Sequence, residues 1–164
     1  MPAAEGAGSP RHVEVKQGDW QPLDEEGVIF TEGLSTCIGI SVYDRIKKAA
    51  VLGHFDNSPS ERRVLEAMIE AIAGFSTPGS RVWLGGGALL DPDLDISRNP
   101  DLKVEDVEVA NSETQLFRDK VLESVKDLVS RGAALETFWL QGAVYLNYSL
   151  DVGTGQEQAV INQD

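Results

Sequence analysis

The sequence predicts an α+β layered domain, largely antiparallel in its strands and carrying two main helices. Period-two alternation marks the strands, most clearly where Ile38, Ile40 and Val42 alternate with Gly39, Ser41 and Tyr43. Helical spacing marks two other stretches, one through Val64, Leu65, Met68, Ile69 and Ile72 and one through Phe117, Val121, Val125 and Leu128. About six to eight strands, many in hairpin order, pack with two amphipathic helices most simply as layers. A chain of 164 residues, 41% hydrophobic, is long enough for one domain to bury a core without covalent staples.

In chain order, residues 1–10 read as a flexible tail and residues 11–164 as a single domain. Arg11 to Lys16 form a short first strand in which His12 is exposed and has no inferred role. Gly18-Asp19 and Pro22 to Gly27 give loop signals, and Val28 to Thr31 form the next strand. The small residues Gly33-Leu34-Ser35-Thr36 lead into Cys37, after which Ile38 to Tyr43 form a strand. Asp44 to Lys48 make a polar turn and Ala50 to Phe55 return as its partner. Such a hairpin brings His54 alongside the start of the strand that Cys37 opens, and a one-residue slip of register would flip His54 to the other face.

Ser58-Pro59-Ser60-Glu61 is a helix start, with Ser58 as N-cap, Pro59 at the first position and Glu61 completing a capping box. Pro78-Gly79 ends that unit and Arg81 to Leu84 form a strand. Gly85-Gly86-Gly87 then allow a backbone turn; with no Lys-Ser or Lys-Thr after them they do not form a phosphate loop. Asp91, Asp93 and Asp95 alternate like calcium ligands, but the glycine and glutamate of a calcium loop are missing, so they read as a solvated acidic loop. Ser112 with Gln115 caps a second helix to Arg131, which Gly132 stops. Leu135 to Leu140 and Ala143 to Leu150 read as strands, and Gln156 to Asp164 as a short edge strand or frayed end.

The formal net charge of −13 excludes a nucleic-acid partner, because phosphate binding needs clustered Lys and Arg that this chain lacks. One cysteine excludes an intrachain disulfide. No secretory leader or membrane-spanning run is evident, so the expected setting is the cytoplasm, without membrane insertion. A metal centre would need more His and Cys ligands than one cysteine and two histidines supply.

That single cysteine carries the candidate chemistry. Cys37 lies six residues after Thr31 and seventeen before His54. A lone cysteine is usually core filler, yet a thiol beside an imidazole is the arrangement for nucleophilic attack, since only the thiolate attacks well and the imidazole takes its proton. An imidazolium partner would raise the thiolate fraction of Cys37. Thr31 could hold the imidazole, with Asp44 or Asp56 as other third members, and backbone N–H groups around Ser35 and Thr36 could face an oxyanion.

The segment from Thr31 to Phe55 resembles the catalytic region of the CheD family of chemoreceptor glutamine deamidases. Thr31, Gly33-Leu34-Ser35-Thr36-Cys37, Ile38 to Asp44 and Ala50-Val51-Leu52-Gly53-His54-Phe55 carry the likeness, with a second in Val82-Trp83-Leu84-Gly85-Gly86-Gly87-Ala88. The Leu-Ser-x-Cys loop is also similar to toxin deamidases of the cytotoxic necrotizing factor type. Thr36 and Asp56-Asn57-Ser58-Pro59 depart from the CheD pattern, and its downstream glycine and arginine motif is missing. The resemblance implies an α/β/β/α sandwich and a hydrolase that converts a protein glutamine to glutamate plus ammonia through a thioester. It implies Cys37 as nucleophile, His54 as base, Thr31 as orienting residue and no cofactor. The expected partner is a protein presenting a glutamine, a chemoreceptor or another signalling protein. The alternative is a non-catalytic interaction module on the same fold.

Overall fold

The computed structural model describes residues 11–75 and 79–162. The expected tail at residues 1–10 and the stop at Pro78 lie outside them. Among the described residues nine strands form two sheets. β1 (Arg11–Glu14), β3 (Gly27–Leu34), β8 (Tyr145–Asp151) and β9 (Glu157–Asn162) form a four-stranded sheet in the order β1-β3-β8-β9. β2 (Asp19–Leu23), β4 (Ile38–Asp44), β5 (Ala49–Phe55), β6 (Ser80–Leu89) and β7 (Ala134–Gln141) form a five-stranded sheet in the order β2-β5-β4-β6-β7. Pairing is antiparallel except for β1 with β3 and β6 with β7. The helices are α1 (Pro59–Ile72), α2 (Pro92–Arg98) and α3 (Val104–Ser130).

Two apolar layers hold the sandwich together. Leu65, Met68 and Ile72 of α1 and Phe117, Val121, Val125 and Leu128 of α3 pack on Ile38, Ile40, Val42, Val82 and Leu84 of the five-stranded sheet. The opposite face of that sheet, with Leu52 and Trp83, meets Ile29, Leu146, Tyr148 and Leu150 of the four-stranded sheet. Alternation explains the division, because successive strand residues point to opposite faces. The α+β sandwich is therefore built as helices, five-stranded sheet, four-stranded sheet. Among the described residues no helix is long and apolar enough to cross a membrane.

Several elements differ from the expectation. The loop signals at Asp19 and at Pro22 and Leu23 fall within β2 (Asp19–Leu23), where Pro22 is tolerated because β2 is an edge strand. Gly85 to Gly87 do not turn the chain but lie inside β6. Asp91 caps α2, accepting from the N–H groups of Asp93 and Leu94, so the acidic run is a helix start rather than an open loop. α3 begins eight residues before Ser112, because buried Val107 extends its apolar stripe.

Candidate active site

β3 ends in one sheet and β4 begins in the other, so Ser35-Thr36-Cys37 is the bend by which the chain changes sheets. β6 holds this bend: Gly87 N–H donates to the Cys37 carbonyl at 2.8 Å and Ala88 N–H to the Ser35 carbonyl at 2.8 Å. Such an approach needs a glycine. Gly86 has φ +93°, and a Cβ there would sit 2.2 Å from the Cys37 carbonyl oxygen. Cys37 is half-buried, and its side chain packs against the cluster between the sheets. Ser35 is half-buried and Thr36 exposed.

His54 comes from β5, where it pairs across the sheet with Gly39. Cys37 precedes Gly39 by two residues, so alternation puts it on the face of His54 as a diagonal neighbour. The backbone of His54 is tied down by Gly18 N–H, which donates to its carbonyl at 2.7 Å. His54 is only 4% exposed.

Thr31 reaches the ring from the opposite sheet. Its Oγ1 lies 2.6 Å from the Val15 carbonyl oxygen and 2.8 Å from His54 Nδ1. A carbonyl can only accept, so the one hydroxyl proton goes to Val15 and Oγ1 accepts from His54 Nδ1–H. The neutral imidazole thus carries its proton on Nδ1 and presents a bare lone pair at Nε2. Among the described residues Nε2 is buried and has no hydrogen-bond partner, so no hydrogen bond joins it to Cys37 in this state. Thr31, rather than Asp44 or Asp56, occupies Nδ1. Asp44 is at the far end of β4, opposite Ala49 and Ser80. Asp56 instead accepts from Ser58 N–H at 2.8 Å and from Gln17 Nε2 at 3.3 Å.

Burial pushes His54 down to about 4, with the Asp56 charge working the other way. Burial pushes the Cys37 thiol up to about 11, and the Asp56 and Glu61 carboxylates add to that rise. At neutral pH the pair is therefore thiol and imidazole. The expected gain in thiolate from an imidazolium partner is corrected by this, because burial keeps the ring neutral. Among the described residues no three His, Cys, Asp or Glu side chains gather to hold a metal ion.

Reading the sequence missed the Val15 carbonyl, which no side-chain pattern reveals, and Arg118, whose guanidinium donates to the Gly87 carbonyl beneath the bend. Arg118 had a signal: spaced three before Val121 and seven before Val125, it is a charge on the apolar stripe of α3.

Fold and site together describe an α+β sandwich whose lone cysteine and a buried histidine share one face at the seam of its two sheets. Two curated relatives match a short part of such a chain, both named probable chemoreceptor glutamine deamidase CheD. That of Pyrococcus abyssi is 43% identical over 44 residues and that of Moorella thermoacetica 38% identical over 45, in each case 27% of this chain and 27% of the relative. No family model matches. Among solved structures, Bacillus licheniformis hypothetical protein YfiH aligns with 75% of this chain and 51% of its own at 14% identity, TM-score 0.40. Neisseria meningitidis protein NMB0706, of the DUF152 family, aligns with 86% of this chain and 67% of its own at 12% identity, TM-score 0.38.

These findings correct the family expectation. Likeness to these CheD proteins is confined to about a quarter of this chain and a quarter of each of theirs, too little to place the whole chain in that family. The physical reason lies in what the quoted motifs encode. A small-residue bend, an alternating strand and its hairpin partner answer local demands, and those demands do not specify the other strands, α3 or their order.

Proposed function

We propose that the chain is a cysteine-dependent amidohydrolase that converts a glutamine side chain of a protein to glutamate and ammonia. The observation that carries this reading is the lone pair of His54 Nε2, buried, unpartnered and on the face that Cys37 shares. The glutamine amide as substrate is suggested by the name of the two partial relatives. Because these match over 27% of their length, substrate and partner are proposals throughout.

Cys37 Sγ attacks the amide carbon as His54 Nε2 takes its proton, so charge develops only during attack. The oxyanion falls to backbone N–H groups of the bend; among the described residues neither the Thr36 nor the Cys37 N–H donates a backbone hydrogen bond. His54 returns the proton to the leaving nitrogen, ammonia departs, and a thioester remains. Water, deprotonated by the same Nε2, hydrolyses it to the glutamate side chain and the free thiol. Thr31 keeps the tautomer correct, with Val15 anchoring Thr31. A reduced thiol is required, which suits the cytoplasm.

The raised thiol pKa favours a second reading, a non-catalytic module that binds a protein. Incubating candidate proteins with wild type, Cys37→Ser and Thr31→Ala separates the two, followed by peptide mapping for the gain of about 1 Da at a glutamine. The expected result is conversion by wild type, none by Cys37→Ser, slowed conversion by Thr31→Ala and similar partner affinity for all three. Binding without conversion, with Cys37 reduced, favours the module.

A further inference from the structure

Arg118 is an arginine where the fold asks for an apolar residue. It stands on the core-facing side of α3 next to Phe117 and is only 8% exposed. No ion pair involves it among the described residues. Burying an unpaired guanidinium is costly, and a Met or Leu would fill similar space without that cost. Its donors show what it does instead: Nε donates to the Gly87 carbonyl at 2.8 Å and Nη2 to the Leu140 carbonyl at 3.1 Å, while the guanidinium lies 5.0 Å over the Trp139 ring. It thereby clamps β6 to β7 where their register shifts between Gly86 and Leu89.

The peptide unit joining Gly87 to Ala88 then has both ends engaged. Its carbonyl accepts from Arg118 and its N–H donates to the Ser35 carbonyl at 2.8 Å. Gly87 N–H, one peptide earlier, donates to the Cys37 carbonyl. Charge-assisted donation at one end of a peptide polarises it and strengthens donation at the other. Gly87 also has to be bare, since with φ +54° a Cβ would lie 3.3 Å from Arg118 Cγ and Nε.

We propose that Arg118 is a positioning residue for the nucleophile, fixing the Ser35-Thr36-Cys37 bend through the Gly87–Ala88 peptide. This rests on the hydrolase reading above for its kinetic part alone. The test uses the full chain as Arg118→Lys, which keeps charge but loses the planar fork, and Arg118→Met, which keeps the stem. Val125→Ala, in the core of the same helix, controls for lost stability. Amide hydrogen exchange at Gly87 and Ala88 is read with kcat and KM for a glutamine-bearing protein that the wild type deamidates.

Both Arg118 variants are expected to speed exchange at these two amides about tenfold beyond any change in global stability, and to lower kcat about tenfold or more with KM within about twofold. Val125→Ala is expected to lose stability and keep kcat. Unchanged exchange at Gly87 and Ala88 would overturn the proposal, as would a rise in KM alone, which would mean that Arg118 serves binding. Loss of kcat in Val125→Ala equal to that in Arg118→Lys would also overturn it. Should wild type deamidate nothing, the hydrolase reading fails, and exchange alone decides the role of Arg118.

Discussion

At the scale of the residue, Cys37 and His54 are held neutral by the same burial that brings them to one face. The thiol is pushed up to about 11, so at pH 7 iodoacetamide is expected to label Cys37 at least about tenfold more slowly than a free thiol. Asp56→Asn keeps the acceptor for Ser58 N–H while removing a charge that raises the thiol, and is expected to speed labelling. Timed mass spectrometry reads both rates, and labelling faster than a free thiol would contradict this account. His54 gives a second expectation through stability. The folded protein keeps the ring neutral down to about 4, whereas the unfolded chain takes up a proton near 6.5. Between those values the unfolded state binds more protons, so stability falls as pH falls through that window. His54→Gln removes the effect. Relative to that variant, wild type should lose roughly 2 to 3 kcal/mol between pH 7 and pH 4, measured by urea unfolding. The proposed deamidation, which would use the neutral ring, should show no inflection near pH 6.5.

Among the elements, β6 does most to shape the bend. Gly86→Ala would drive a Cβ into the Cys37 carbonyl at a backbone angle that side chains rarely adopt. The expected cost is about 1–3 kcal/mol in stability and a larger proportional loss of activity, read by denaturation beside turnover. The glycine run also shows where sequence reading stops. Gly85 to Gly87 look like a turn because glycine permits one, yet they are bare because Trp83, Cys37 and Arg118 crowd them, and crowding is a tertiary fact. α1 was more legible: Ser58 accepts from Glu61 N–H, as its sequence predicts. The reciprocal bond of Glu61 goes to Asp56 N–H instead, tying the helix to the end of the His54 strand. The Ser112 signal misplaced the start of α3 because a local cap motif weighs nothing against the burial of Val107. Thr31, Cys37 and His54 could be named from spacing and hairpin logic. The direction of the hydroxyl bond, and hence the free nitrogen, could not, since it depends on a carbonyl from a different segment.

Across the whole molecule, the Thr31 hydroxyl and the His54 ring belong to different sheets. Thr31 stands on β3 of the four-stranded sheet and His54 on β5 of the five-stranded sheet, joined by a single contact of 2.8 Å. What keeps them aligned is the apolar layer between the sheets, together with Tyr148, whose hydroxyl donates to the Glu157 carboxylate and accepts from Ser41 Oγ–H across the gap at 2.8 Å while its ring stacks on Trp83. Tyr148→Phe deletes the polar half of that bridge and leaves the stacking. It should cost about 1–3 kcal/mol in unfolding free energy. The seam makes the protein a strain gauge for its own architecture. A shear of one ångström between two intact sheets would detune the imidazole without melting a strand, so warming should silence turnover several degrees before circular dichroism registers any loss of structure.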